Sequence, residues 1–363
     1  MDKQFNQAGG SYIFQNKDYL TGLAQGALPS TGIEPETDYK ADLGVEVGLL
    51  QNRLMFQVDG FYNNRKNIAC EGAGTVSDVI GIGVPVIFTG ETINYGAEVS
   101  ATWRQTIGDF SYNIGANFSY ARNRIVEASQ EPVPYEWQEI SGTRISEMYG
   151  YVPDGFYQAE DFNADGSLKD GVVASGLVST LRPGDIKYED LNSDGLIDEN
   201  DAKYHGVSSL PSMYYGINLG AEYKGFGFQM MFQGAGDFMV NTMLPSVYQP
   251  LYNNDKNISK HYLESYWTAT SPEGRYPRLT TESNAHNYAD SPVWWERGDY
   301  LKLRNLYVWY DFGHMIDKVE SFKVFFRGHN LFSVDSVRIL DPEHVSLAYP
   351  TTRSIQLGVK LTF

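Results

Sequence analysis

Nine stretches of this chain alternate apolar with polar or small residues, and the segments that join them alternate too, short with long. The last stretch, SIQLGVKLTF, sets Ile355, Leu357, Val359, Leu361 and Phe363 against Ser354, Gln356, Gly358, Lys360 and Thr362. Another sets Phe110, Tyr112, Ile114, Ala116, Phe118 and Tyr120 against Ser111, Asn113, Gly115, Asn117 and Ser119. Residues 39–50, 53–64, 94–104, 214–223, 226–232, 300–312 and 322–326 repeat the pattern. A period of two sends successive side chains to opposite faces of a strand, so the chain reads as all-β.

A soluble sandwich alternates in the same way, but it has no reason to sort its connections. Here short turns at 50–52, 105–109, 224–225 and 313–320 take turns with long segments at 66–92, 125–211, 240–298 and 333–352. Outer-membrane barrels are built like this, with short periplasmic turns and long outer loops. If the short turns are periplasmic, residues 125–211 form an extracellular insertion, residues 1–38 an outer loop and lead-in, and the last strand runs inward. Nine strands is an odd number, whereas bacterial single-chain barrels have even ones. The expectation is therefore an antiparallel transmembrane β-barrel in part, about 9–10 strands of a larger one, with residues 39–363 as its C-terminal portion.

On this reading Val99 and Ile114 face lipid, while Glu46, Asp59, Glu98, Lys323 and Arg327 face a wet lumen. Trp103, Tyr120, Trp309 and Tyr310, near strand ends, read as interfacial girdle residues.

Composition narrows the function. Lys plus Arg number 28 against 45 Asp plus Glu, a net charge of −17 that argues against nucleic acid. A single cysteine, Cys70, excludes a disulfide framework and a cysteine metal site. No apolar run approaches the ~20 residues of a transmembrane helix, a test to which barrel strands are blind. The start, MDKQFNQAGG, has neither the basic nor the apolar segment of a signal peptide. The six histidines never approach metal-ligand spacing, and no nucleophile elbow, phosphate loop or H-E-x-x-H motif is present. No residue is assigned a catalytic role.

One loop carries a cation-binding pattern. In DLNSDGLIDEND, Asp190, Asn192 and Asp194 stand at positions one, three and five of a calcium loop, with Gly195 at the turn. Leu196 would offer its carbonyl, Asp198 would act at position nine, and Asp201 replaces the usual glutamate at twelve. A structural Ca²⁺ is the expectation; a solvated acidic turn is the alternative. DFNADGSLKD at 161–170 repeats the first six positions, but Val172 at twelve spoils the set. Trp137, Trp267, Trp294 and Trp295 lie in the long segments, where flat rings can contact a ligand or lid, or else fill small loop cores.

The segment RPGDIKYEDLNSDGLIDENDAKYHG leading to FQGAGD (182–237), with GYVPDGFYQAEDF, DYLKLRNLYVWYDF and FFRGHNLFSV, resembles the SusC/RagA family of TonB-dependent outer-membrane transporters. The ending QLGVKLTF resembles the β-signal read by the barrel-assembly machinery, through Gln356, Gly358, Leu361 and Phe363. The resemblance implies a plugged barrel of roughly 22 strands in the bacterial outer membrane. It further implies import of glycan or peptide fragments beneath a SusD-like surface lipoprotein. Contact with the TonB system would come through the family's N-terminal part, which has no counterpart in this chain. Two alternatives remain at this point: a passive porin-like channel, and a secreted soluble calcium-binding β-protein that binds glycans.

Overall fold

The structure is a computed structural model. It describes residues 32–363 apart from 73–83, 244–248, 253–254, 314–318, 338, 344–348 and 350. Before residue 32 it describes residues 26 and 28–30 and the backbone of four short strands, of which Phe5–Asn6 pairs with Ala24–Gln25 and Ser11–Phe14 with Asp18–Thr21.

Nine strands form one sheet in unbroken chain order. They are β1 (Thr37–Leu49), β2 (Leu54–Glu71), β3 (Val86–Ile107), β4 (Phe110–Glu127), β5 (Met213–Tyr223), β6 (Phe226–Gly236), β7 (Tyr300–Asp311), β8 (Ser321–Asp335) and β9 (Ser354–Thr362). β1 and β9 are its edges. Each strand expected from alternation is present. The β5–β6 turn shows why the short links are tight: Lys224 (φ 46°) and Gly225 (φ 87°) both take the left-handed backbone of a two-residue hairpin loop.

Five strands run well past their alternation, β6 and β8 among them. β2 continues past residue 64, β3 starts before residue 94 and β4 continues past residue 121. Polar side chains join β2 to β3 there: Asn64 Nδ2 donates to Glu91 Oε1 at 2.9 Å, and Lys66 Nζ meets the same carboxylate at 3.3 Å. Backbone pairing persists there after the regular alternation has ended.

The register gives the sheet two chemically distinct faces. One transverse row reads Ile114, Leu219, Met230, Leu306, Gly328, Ile355, and the next Tyr112, Ala221, Phe228, Val308, Phe326, Leu357. On the other face the corresponding row is Asn113, Gly220, Gln229, Tyr307, Arg327, Gln356. Large apolar side chains stand exposed along the first face, among them Ile114, Ile217, Phe226, Ile355 and Leu357. An apolar surface of this extent suits a hydrocarbon solvent and not water. Trp309 departs from the girdle expectation. It is buried, and it lies directly opposite Gly227 and Phe325 on the polar face, because its odd position between Val308 and Tyr310 outweighs its residue type.

The register also steps. Between the row at Met230, Leu306 and Gly328 and the row at Phe232, Leu303 and Phe332, β6 advances two residues, β7 three and β8 four. The extra residue in β7 is Arg304, and Asn330 in β8 takes up the strain with a φ of 51°.

Contacts divide the chain into two compact units. The first comprises Met1–Asp42, Phe61–Tyr95 and Asn123–Ile145. The second comprises Leu43–Gly60, Gly96–Arg122 and Ser146–Phe363 and holds the long connections 146–212 and 237–299.

Candidate functional site

Within the second unit the two long connections fold onto each other through one carboxylate. Asp185 is fully buried. Its Oδ1 accepts from Arg278 Nε at 2.7 Å, Asn287 Nδ2 at 2.8 Å and Asn284 Nδ2 at 3.3 Å, and its Oδ2 accepts from the Arg182 backbone N–H at 2.8 Å. The neighbouring backbone is stitched in as well. Ile186 N–H donates to Asn287 Oδ1 at 2.9 Å, Arg278 N–H to the Gly184 carbonyl at 2.9 Å, and the Tyr188 hydroxyl to the His286 carbonyl at 3.0 Å. A carboxylate buried this deeply is tolerable only because a cation and three further N–H groups meet it.

His286 completes the joint. Its Nε2 donates to the Ile186 carbonyl at 2.5 Å, so its Nδ1 accepts the Ser175 hydroxyl hydrogen at 2.8 Å. Burial lowers its pKa below the ordinary 6.5, against the opposing pull of the Ile186 carbonyl and the Asp185 charge. A histidine whose folded pKa is depressed contributes stability above its unfolded value and loses it as pH falls through the folded one. Once the intrinsic pH dependence of exchange is divided out, amide protection at 182–188 and 284–290 should therefore be weaker at about pH 5 than at about pH 7.5, and a His286→Gln variant should lose that difference. Equal wild-type protection factors at both pH values would contradict this.

The tryptophans singled out from sequence have separate fates. Trp294 is fully buried, stacked on Tyr276 at 5.3 Å and Tyr288 at 5.1 Å, with its Nε1 donating to the Asn287 carbonyl. Trp295 is buried beside it and meets His205 edge-on at 4.9 Å. Trp267 covers Gly184, where a Cβ would overlap its ring. These three build loop cores; Trp294 and Trp295 have no open face left for a ligand. Trp137, in the first unit, stacks on Tyr135 at 4.5 Å and is half-buried.

The 190–201 loop is closed by its own side chains. Asp190 accepts from the N–H groups of Asp194 (3.2 Å) and Gly195 (2.7 Å), and Asn192 Oδ1 also accepts from Asp194 N–H. Asp194 Oδ1 accepts from Leu196 N–H, and Asp198 Oδ1 from Asn200 N–H. Asp201, fully buried, accepts from Leu191 N–H at 2.8 Å and Asp198 N–H at 2.9 Å. Among the described residues no three of His, Cys, Asp and Glu are gathered as one ion would require.

A second charged cluster, absent from the sequence reading, holds the β8–β9 connection against β7. Lys302 Nζ pairs with Asp341 and, at 2.9 Å, with Glu343. Arg304 forks onto both oxygens of Glu343 and reaches Gln233 at 3.0 Å and Asn330 at 2.9 Å. Burial works to raise the Asp341 carboxyl, yet hydrogen bonds from Lys302 and Thr351 hold it at about 2. The terminal strand carries the expected signal residues at the sheet edge: Gln356 is opposite Arg327, Gly358 opposite Phe325 and Leu361 opposite Phe322, with Phe363 exposed beyond.

A two-faced sheet, connections sorted by length and an outward apolar surface together specify a membrane barrel wall, and comparison with known proteins agrees. TonB-dependent receptor P26 of Formosa agariphila is 23% identical over 94% of this chain, and receptor P3 of the same organism 22% identical over 97%. Nearly the whole chain is thus similar to TonB-dependent receptors, and its fold is that of part of a RagA-like barrel. In structure it superposes on the RagAB peptide transporter with a TM-score of 0.69 at 18% identity, covering 98% of this chain. The RagAB peptide importer in its open-open state gives 0.70 at 17% identity and 99% coverage. No family model matches. The chain spans little over a third of these relatives, 36% of P26 and 38% of the RagAB chain. The apolar face of the sheet and these likenesses place the chain in the outer membrane, and the soluble, secreted alternative is left without support.

Proposed function

We propose that the receptor carrying this chain imports glycan or peptide fragments across the outer membrane, driven by the TonB system and working with a SusD-like surface lipoprotein. The observation that carries this reading is the likeness of nearly the whole chain to TonB-dependent receptors and to a peptide transporter fold. The long connections, tied into one body by Asp185, are the surface on which lipoprotein and cargo would sit. The test is uptake by cells that express the receptor, offered labelled oligosaccharides in one arm and labelled peptides in the other. Expected is uptake of one class that stops when TonB is deleted. Uptake indifferent to TonB would establish the passive-channel alternative.

Calcium at 190–201 is part of the same proposal. It rests on the spacing of oxygens at Asp190, Asn192, Asp194, Leu196, Asp198 and Asp201. A cation would share carboxylates that now serve backbone N–H groups, using their remaining lone pairs. Wild type should melt higher in calcium than in chelator, with Asp190→Ala and Asp194→Ala insensitive to the difference. Identical wild-type melting and no heat of binding would rule calcium out.

A third element is the reading of Gln356, Gly358, Leu361 and Phe363 as the signal for the barrel-assembly machinery. β9, an edge strand with one face wholly apolar, is suited to be handed over edge-first.

A further inference from the structure

Four residues stand directly opposite one another across β6, β7, β8 and β9 on the polar face: Gly227, Trp309, Phe325 and Gly358. The two large rings occupy the middle of this row, and each leans outward over the glycine beside it. A Cβ on Gly227 would fall within the Trp309 indole, and one on Gly358 within the Phe325 ring. Phenylalanine has no polar tether, and the buried Trp309 Nε1 has no hydrogen-bond partner among the described residues. Packing alone places both rings. Tyr307 stacks on Trp309 at 4.9 Å and tilts against Phe325 at 5.6 Å. Arg327 lies 5.1 Å from the Tyr307 ring and 5.9 Å from the Phe325 ring, and Lys323 lies 5.3 Å from Trp309. An aromatic ring over a strand glycine covers backbone that the glycine leaves bare, and it helps pin the register. A slip of one residue would set Leu357 or Val359 against Phe325 and turn the apolar face of β9 inward.

We propose that Phe325, held over Gly358 by Tyr307 and Arg327, is the positioning residue of the terminal strand, and that glycine is required at 358 because this ring must seat there. The proposal rests on reading the terminal strand as an assembly signal, and it changes what that signal consists of. Gly358 acts through a partner in the neighbouring strand, so the determinant is a pair that spans β8 and β9. Trp309 over Gly227 repeats the arrangement across β6 and β7, with Tyr307 packed against both rings.

The test is a double-mutant cycle in the receptor carrying this chain, scored by the amount of folded barrel in the outer membrane. Gly358→Ala should lower that amount several-fold in the wild-type background. In a Phe325→Ala background the same substitution should change nothing, because no ring remains to be displaced. Phe325→Leu, which keeps apolar bulk but shortens the reach, serves as a second background with the same expectation. Gly358→Ala that is equally damaging in all three backgrounds, or harmless in the wild type, overturns the proposal. Phe363→Asp separates the underlying reading: normal membrane levels of that variant reject the signal itself, whereas coupling between positions 325 and 358 reports only on the seat.

Discussion

Replacing Asp185 with alanine is expected to release the two long connections from each other while leaving the sheet assembled. The change strands the Arg278 guanidinium beside Asn284, Asn287 and the Arg182 N–H, all of which now share one carboxylate. Removing one partner of a buried ion pair costs about 3–5 kcal/mol, because the other is left uncompensated. Asp185→Asn keeps one acceptor oxygen and should lose less. Protease cutting and hydrogen exchange within 182–188 and 275–294 would report the release, and heat-resistant migration would report the intact barrel. Unchanged exchange in Asp185→Ala would show that the connections are held together elsewhere.

The second large effect concerns the faces of the sheet. Leu219 and Asn218 are neighbours on β5 that point opposite ways, Leu219 in the apolar row with Ile114 and Met230, Asn218 opposite Gly115 and Met231. The Leu219 row lies four residues along β5 from the aromatic row at Tyr223, roughly 13 Å of strand, which places it well inside the hydrocarbon. Leu219→Arg should then cost about 2–4 kcal/mol, and Asn218→Arg, on the lumen side, far less. Folding the two variants into lipid vesicles under a denaturant series measures the difference. Equal midpoints would mean that the apolar face is not the lipid face.

The sheet was legible in the sequence because its defining property is local: period two can be read without knowing which strand pairs with which. Sorting the connections by length supplied the rest of the topology. The extensions of β2, β3 and β4 were not legible, since regular alternation lapses there while the backbone goes on pairing. The Asp185 joint was hidden for another reason. Asp185 stands in the quoted PGDIKY segment, but its partners Arg278, Asn284 and Asn287 are about a hundred positions away, and nothing periodic links them. Trp309 was misplaced by trusting residue type over position. The slip in β7, by contrast, is written in the chain: Leu301 and Leu303 are odd-numbered, while Leu306, Val308 and Tyr310 are even.

That slip makes β7 a strand that cannot be ironed flat. Suppose Arg304 were absorbed into an ordinary ladder, with the turn end of the strand held fixed. Leu303 and Leu301 would swing into the water-filled interior, and Arg304 and Lys302 would swing out into the membrane. Lys302 would lose Asp341 and Glu343, Arg304 would lose Glu343, and each cation would cost up to about 2–4 kcal/mol in hydrocarbon, depending on depth. Leucines pulling one way and cations the other thus keep the spare residue where it is. The same spare residue makes the strand a poor exchange part: a β7 of regular length, grafted between β6 and β8, would arrive half a pleat out of step at one end whichever end was matched first.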